Sequence, residues 1–302
     1  MKVFIAYKIA TGASGGGNQF LRTFKNQLVS RDSFTENLSE ADVVLVNAHH
    51  HPQEVLRIKQ LFPDKTFIHR LAGVYKLYNH AGDERQDIAA YINKNVADAS
   101  IFISKWTMDE YYKYGLEKNK SRVILNCADE RFFNTNYSKQ RSDKTRLVCT
   151  SWSTNKNKGF EIYKFLDDNL DFSKYEFTYI GSEPGIEFKN IKKIEPIPYN
   201  ELADYHRESD IFITGTKFDA CSNSLVEAMS CGLPAVALNS GGSPEVVKQG
   251  GELFNGLDDV IPAIERVAQD LENYTSNIKV SNSSEITQQY LDFFSEIYDT
   301  QN

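Results

Sequence analysis

Short apolar runs alternate with helical stretches along most of the chain, and this alternation limits the folds open to it. The runs are continuous, as is typical of strands buried on both faces of a parallel sheet. Helical segments between them predict βαβ units with helices on both faces of each sheet. The strand candidates are Val3–Tyr7, Asp42–Val46, Thr66–His69, Ser100–Ile103, Arg146–Thr150, Glu176–Ile180, Asp210–Ile213 and Pro234–Leu238, and the helix candidates include Asn18–Val29, Asp87–Val96, Lys105–Tyr114 and Ser224–Ser230.

A polar stretch interrupts the alternation near the middle of the chain. Residues 134–144 are almost wholly polar, which predicts a linker, and a second βαβ series follows. The 302 residues also approach the upper limit for one hydrophobic core, so two domains of roughly 150 residues each are expected. We predict a Rossmann-like domain over 1–138, a second over 139–285, and a cleft beyond the carboxyl ends of their strands.

The last helical segment carries a continuous apolar face and therefore needs a surface to cover. We predict that this C-terminal helix, over 286–302, crosses back onto the first domain. Its apolar face is formed by Ile286, Tyr290, Phe293, Phe294 and Ile297.

Composition narrows the choice of partners and compartment. The net charge of −7 argues against nucleic acid as a partner, while a peripheral membrane contact is left open but not indicated. No apolar run approaches the roughly 18 residues that would cross a bilayer, and the first residues do not form a signal peptide. None of the four cysteines belongs to a C-x-x-C pair, so we expect reduced thiols and a cytoplasmic protein.

The segment from Asp219 to Glu245 is the strongest candidate for a functional site. A loop of small residues opens a helix near Asn223, where free N–H groups and the positive helix dipole suit a diphosphate. The Glu227 carboxylate, about one turn inside the helix, is placed to accept hydrogen bonds from ribose hydroxyls. Asp219, before the loop, is placed to do the same for a sugar. The loop and first helical residues are Ala220, Cys221, Ser222, Asn223, Ser224 and Leu225.

These residues resemble family 4 glycosyltransferases of the GT-B fold, also called group 1 glycosyltransferases. The family signature has two acidic residues eight positions apart, the second within an E-A-x-x-C-G-x-P run, and then a G-G-x-x-E element. Glu227-Ala228 through Pro234 and Gly241-Gly242 through Glu245 match it, with Asp219 where the family usually has Glu. The resemblance spans nearly the whole chain and is closest over 146–254.

The resemblance also implies roles for loops outside this segment. Lys158, directly before Gly159, stands where the family has a phosphate-neutralising lysine, and Ser153 stands where it usually has an arginine. Lys156 would then share the neutralisation of the diphosphate. The backbone at Gly181, Pro196 and Ile197 would receive the base.

In the first domain the resemblance points to residues at the starts of helices and the ends of strands. Residues 12–18 form a glycine-rich loop whose Gly16 and Gly17 would approach the donor phosphates, although they lack the G-x-G-x-x-G spacing of a dinucleotide site. His69 is the candidate catalytic histidine, and Arg70 and His80 are acceptor-side candidates. The run His49-His50-His51 is not a three-histidine zinc site, because adjacent residues seldom point at one ion. We therefore expect no metal and no cofactor.

The resemblance implies a retaining transfer of a hexose from a nucleoside diphosphate sugar to a glycan, lipid or other acceptor. Lys158, Asp219, Glu227 and His69 are the candidate catalytic residues. Two alternatives stay open, namely a nucleotide-sugar-binding protein without turnover and a nucleotide-sugar epimerase. A nicotinamide-dependent oxidoreductase is disfavoured because the dinucleotide fingerprint is missing.

Overall fold

The chain divides into two α/β units. The computed structural model describes residues 1–10, 16–137 and 142–301. The first unit comprises Met1–Asn126 and Ser281–Asn302, and the second comprises Cys127–Val280. The predicted residues 12–15 of the glycine-rich loop lie outside the described residues.

The boundaries of the units differ from the predicted domain limits at 138 and 285. The first boundary follows Asn126, because the next segment joins the core of the second unit. There the ring of Phe133 lies 4.7 Å from that of Tyr199 and 5.7 Å from that of His206. Apolar packing therefore begins before the polar stretch that predicted the linker.

The first unit is built on one parallel sheet of five strands, in the order β1-β2-β3-β4-β5. Every residue of β2, β3 and β4 is buried, as the continuous apolar runs predict. A 3-10 turn lies at Leu38–Glu40. The elements are β1 (Val3–Ala6), α1 (Gly16–Ser30), β2 (Val43–Asn47), α2 (Pro52–Leu61), β3 (Thr66–Leu71), α3 (Tyr75–Tyr78), α4 (Arg85–Val96), β4 (Ala99–Phe102), α5 (Lys105–Lys113) and β5 (Lys120–Val123).

The second unit is built on a parallel sheet of six strands, in the order β11-β10-β9-β6-β7-β8. A 3-10 turn at Lys156–Lys158 follows its first strand. The elements are β6 (Thr145–Ser151), α6 (Phe160–Asn169), β7 (Tyr175–Gly181), β8 (Lys192–Ile194), α7 (Tyr199–Glu208), β9 (Ile211–Thr214), α8 (Asn223–Ser230), β10 (Ala235–Leu238), α9 (Ser243–Val247), β11 (Gly251–Phe254), α10 (Leu257–Gln269) and α11 (Leu271–Ser276).

The C-terminal helix, α12 (Ser283–Gln301), packs on the first unit as predicted. Its Tyr290 ring lies 4.8 Å from the ring of Phe24 on α1, and Arg31 at the end of α1 donates to the Ser284 carbonyl at 2.9 Å. All five predicted apolar positions of this helix are buried. The apolar face is therefore covered by α1 and the first sheet. Among the described residues, no helix is both long enough and apolar enough to cross a membrane.

Candidate functional site

The order of strands in the second sheet reverses between β6 and β9. β6 is the first strand of the unit and lies beside β9, with Leu147 paired to Ile211, while later strands extend on either side. In open α/β sheets, ligands bind beyond the carboxyl ends of strands at such a switch point. The loops that follow β6 and β9 contain the predicted residues Lys158 and Asp219.

Glycine backbones bring the loop after β6 against the loop after β9. Gly159 has a φ of 76°, and a Cβ atom there would lie 2.2 Å from the Gly215 carbonyl oxygen. The Lys217 amide also donates to the Asn157 carbonyl at 2.7 Å. Only glycine permits both this conformation and this approach, so Gly159 fixes the place of the preceding Lys158.

The loop after β9 is held equally closely by the loop after β10. A Cβ atom at Gly241, whose φ is 62°, would lie 2.2 Å from the Asp219 carbonyl oxygen, which accepts from the Gly242 amide at 2.8 Å. The Phe218 amide donates to the Ser240 hydroxyl at 3.0 Å. Phe218 itself has a φ of 56°, which is an outlier for a bulky residue. Such strain is retained where the surrounding structure enforces it, often at functional sites.

Together these loops bring Lys158 and Asp219 into contact. The Lys158 Nζ lies 3.6 Å from the Asp219 Oδ2, and the two side chains are 17% and 20% exposed. The pair therefore combines one positive and one negative group that a ligand can reach. Among the other residues proposed near the phosphates, Ser153 accepts a hydrogen bond from the Asn155 amide through its hydroxyl, and Lys156 is exposed.

The amino end of α8 directly follows the loop that contains Asp219. Ser222 occupies the N-cap position without a side-chain cap, and its Oγ lies 3.0 Å from the Ser224 Oγ. The first turn of α8 contains no acidic residue. This helix end suits an anion held by backbone N–H groups. The side chains of the proposed loop are mostly turned inward: Ala220, Cys221, Ser222 and Leu225 are buried, and Asn223 and Ser224 are half-buried.

Glu227 lies one turn inside α8 and is 5% exposed. Burial raises the pKa of its carboxyl to about 7, and a hydrogen bond from the Tyr199 hydroxyl opposes that rise. Tyr199 begins α7, directly after the loop that contains Pro196 and Ile197. The sequence did not single out Tyr199, because a tyrosine at a helix start is ordinary until its hydroxyl is seen to meet a buried carboxyl.

The residues proposed to receive the base lie at the end of β7 and in the loop after β8. Gly181 has a φ of 126°, and a Cβ atom there would lie 1.7 Å from the Ser151 carbonyl oxygen. Pro196 is exposed and Ile197 is half-buried. The Ser182 amide donates to the same Ser151 oxygen at 2.8 Å, so Gly181 ties the end of β7 to the end of β6.

The predicted residues of the first unit have more varied positions. Gly16 and Gly17 begin α1, and a Cβ atom at Gly17 would have nothing within 4 Å. Asn18, which follows them, accepts a hydrogen bond from the Ala10 amide at 2.7 Å. His80 is exposed in the loop after α3.

The structure corrects the prediction that His69 or Arg70 contacts a substrate. Both side chains are 0% exposed. The His69 Nε2 donates to the Ala48 carbonyl at 2.8 Å, and burial lowers the pKa of this imidazole to about 4. The Arg70 guanidinium donates to Asn47, Asn126 and Tyr290 at 2.9, 2.7 and 3.2 Å. Both residues are still within β3, where the layers on each face of the sheet cover them.

Comparison with known proteins agrees with this architecture. Residues 160–273 match the family described as Glycosyl transferases group 1. An uncharacterized 41.2 kDa protein of the cps region of Klebsiella pneumoniae is 28% identical over an alignment of 170 positions, which covers 50% of this chain and 47% of that protein. The match thus spans less than half of that protein's length.

Solved structures resemble the chain over nearly its full length. HepE from Anabaena, in complex with UDP, gives a TM-score of 0.73 at 15% identity and covers 98% of this chain and 100% of its own. Sucrose-phosphate synthase from Thermosynechococcus elongatus gives 0.69 at 14% identity and covers 94% of this chain and 79% of its own. The chain has the GT-B fold of two Rossmann-like units, and its residues 160–273 match the family of group 1 glycosyl transferases.

Proposed function

We propose that the chain is a retaining glycosyltransferase that moves a hexose from a nucleoside diphosphate sugar to a glycan, lipid or other acceptor. The observation that carries this proposal is the convergence of Lys158, Asp219 and the amino end of α8 at the switch point of the second sheet. The similar fold of HepE, solved with UDP and with UDP-glucose, makes uridine diphosphate sugars the first donors to test.

Each group has a distinct task in this reaction. The leaving diphosphate gains negative charge as the sugar departs, and Lys158 with the N–H groups of α8 stabilises that charge. Glu227 accepts hydrogen bonds from the ribose, and Asp219 accepts one from a sugar hydroxyl. Because a lysine and a helix end supply the positive charge, we propose that transfer needs no metal ion, so a chelator should leave the rate unchanged.

A thermal-shift panel of nucleoside diphosphates and their sugars tests the donor assignment. A ligand at 100 times its dissociation constant stabilises the folded protein by about 2.7 kcal/mol, which such an assay detects readily. We expect a shift with UDP or a UDP-sugar, and a loss of affinity of about a hundredfold in Glu227→Ala. Unchanged nucleotide affinity in that folded variant would overturn the role of Glu227.

A protein that binds the nucleotide sugar without turnover is the second candidate. Two departures from the family pattern favour this candidate. Ser153 stands where the family usually has an arginine, and Asp219 has a shorter side chain than the usual Glu. Release of free nucleotide from the donor, even slowly and to water, would identify an enzyme. Product analysis without an added acceptor would identify an epimerase, which changes the sugar but leaves it on the nucleotide.

A further inference from the structure

The loop between β2 and α2 holds an unusual backbone. Ala48 and His51 have φ values of 50° and 52°, in the left-handed region that favours glycine. Each such residue costs about 1 kcal/mol or more, so two of them in a loop of four residues persist only where neighbouring groups enforce them. His49 and His50 lie between them.

Buried polar residues of the first unit enforce this conformation. The Ala48 carbonyl accepts from the His69 Nε2 at 2.8 Å, and the Ala48 amide donates to the Arg70 carbonyl at 2.8 Å. Asn93 donates to the His69 Nδ1 at 3.1 Å, which fixes the proton of that ring on Nε2. The residues first predicted to touch substrate therefore support the loop instead.

The loop presents a cluster of rings, which we call the histidine platform: Tyr7, His49, His50 and Tyr75. The His49 and His50 rings stack with their centroids 4.1 Å apart. Tyr7 meets His50 edge-on at 4.9 Å, and Tyr75 meets His49 edge-on at 4.8 Å. Flat rings of this kind offer a surface to the C–H faces of a sugar.

One nitrogen of His50 has a defined role. Its Nδ1 lies 3.0 Å from the Asn47 carbonyl oxygen, which can only accept, so Nδ1 bears the proton and the neutral ring carries a lone pair on Nε2. Burial lowers the pKa of His50, and it lowers that of His49 to about 4, so both rings are neutral near pH 7.

The charge near the platform also suits an uncharged ligand. The nearby Arg85 guanidinium lies 5.2 Å from the Tyr75 ring, and it is paired with the Asp83 carboxylate at 2.5 Å. The Arg70 guanidinium also acts on the platform, but it is fully buried and bonded to neutral groups, so it is not available for direct contact with an anion. The lone pair on His50 Nε2 can instead accept a hydrogen bond from a sugar hydroxyl, while the surrounding rings pack against the sugar.

We propose that the histidine platform binds the acceptor sugar, with His50 Nε2 accepting a hydrogen bond from one of its hydroxyls. This inference rests on the proposed transferase function. It assigns to His50 the contact with substrate that the buried His69 and Arg70 do not make. His69 acts as a positioning residue, through Ala48.

The test uses the full chain, UDP-glucose as donor, and p-nitrophenyl glycosides of glucose, galactose and N-acetylglucosamine as acceptor probes. His50→Phe keeps a ring in the stack but removes the Nε2 lone pair, together with the Nδ1–H that donates to the Asn47 carbonyl. We expect kcat/KM for the glycoside to fall about tenfold or more, mainly through KM, with UDP affinity and acceptor-free hydrolysis of UDP-glucose changed less than about twofold. His51→Asn, which tolerates the left-handed backbone, is the matched control and should leave all three measurements unchanged.

A second measurement needs no variant. In the chain labelled with ¹⁵N-histidine, addition of a glycoside should shift the Nε2 resonance of His50 in a saturable way. If His50→Phe transfers glucose to the glycosides as fast as the wild-type chain does, the proposal is overturned. It is also overturned if the wild-type chain binds UDP but no glycoside of the panel shifts the His50 resonance or accepts glucose. Absence of UDP binding by the wild-type chain would instead reject the proposed function itself.

Discussion

The two units place polar residues near the carboxyl ends of their strands, but they expose them very differently. Lys158 and Asp219 of the second unit are about a fifth exposed, whereas His69 and Arg70 of the first are completely buried. The difference follows from where the strands end. β3 continues to Leu71, so His69 and Arg70 are inside the sheet, while β6 and β9 end well before Lys158 and Asp219.

This difference indicates that a residue near the end of a strand is accessible to a ligand only if it lies beyond the last paired residue. In the second unit the loops after β6 and β9 extend beyond the ends of their strands, and close backbone contacts at Gly159 and Gly241 hold them in place. In the first unit the polar side chains turn inward and hold a loop that presents other residues. Substitutions in these loops of the second unit should therefore affect nucleotide binding, and those at Arg70 should lower stability without affecting nucleotide binding.

The largest expected effect comes from separating the loops of the second unit. Gly159→Ala places a Cβ atom 2.2 Å from the Gly215 carbonyl oxygen at a φ of 76°, so the backbone must shift. We expect a loss of about 4 kcal/mol in unfolding free energy, measured by urea denaturation, together with a loss of UDP binding.

Gly185→Ala is the matched control for this clash. Gly185 has a similar φ of 80°, but a Cβ atom there would meet nothing within 4 Å. It should cost only about 1 kcal/mol, from the backbone conformation alone. Equal losses in the two variants would show that the contact between the two loops contributes nothing.

The next effect concerns the pH dependence of stability in the second unit. The pKa of Glu227 is about 7 in the folded protein, above its ordinary value of 4.5, so the folded state binds this proton more tightly than the unfolded state. The contribution of the carboxyl to stability therefore falls as pH rises from about 4.5 through 7.

Glu227→Gln, which is neutral at every pH, isolates this contribution. Relative to the wild-type chain, its unfolding free energy should rise by up to about 3 kcal/mol between pH 4.5 and pH 8, as measured by urea denaturation at several pH values. A parallel pH dependence in the two proteins would show that burial does not hold the proton on Glu227.

The sequence was sufficient for the central strands of both sheets but missed three of their four edge strands. All eight predicted strands are present. They were recognisable because a continuous apolar run is typical of a strand that is buried on both faces of a sheet. The three strands that were not predicted, β5, β8 and β11, each lie at an edge of a sheet. Residues such as Lys120, Lys192 and Lys193 carry no apolar signal there, and only backbone pairing makes them strands.

For the candidate site, the sequence identified residue types and the resemblance gave them an order along the chain. Neither could reveal which side chains the fold buries. The exposure of His69 depends on how far β3 extends, and the contact of Tyr199 with Glu227 joins residues from two different helices. Both depend on tertiary packing that no local pattern records.

Changes in the first unit should affect stability without affecting the nucleotide. Arg70→Lys keeps the charge, but an ammonium group does not reproduce the planar set of bonds to Asn47, Asn126 and Tyr290. We expect a loss of about 2 kcal/mol in unfolding free energy, with UDP affinity unchanged when measured by calorimetry. Arg57→Lys, on the exposed face of α2, is the control and should change stability by less than about 0.5 kcal/mol. Weakened UDP binding in folded Arg70→Lys would contradict the division of roles between the units.

The smallest expected effect tests how Glu227 is oriented within the second unit. The Tyr199 hydroxyl donates to Glu227 and opposes the rise of its pKa, so Tyr199→Phe should leave the carboxyl more often protonated near pH 7. A protonated carboxyl accepts hydrogen bonds from the ribose more weakly. We expect UDP affinity at pH 7 to fall about fivefold, which is about 1 kcal/mol, and to recover in part at pH 8, as measured by calorimetry.

Tyr274→Phe separates this role from the general loss of a tyrosine hydroxyl. The Tyr274 hydroxyl donates to Glu252 on β11, in the same unit, so its removal also breaks a tyrosine–glutamate hydrogen bond. We expect a similar small loss of stability but unchanged UDP affinity at both pH values. If Tyr199→Phe binds UDP as the wild-type chain does at pH 7 and pH 8, the packing of α8 alone orients Glu227. A fall in affinity confined to Tyr199→Phe would instead place the start of α7 in the nucleotide site, because its hydroxyl then joins the loop of Pro196 and Ile197 to the carboxyl of α8.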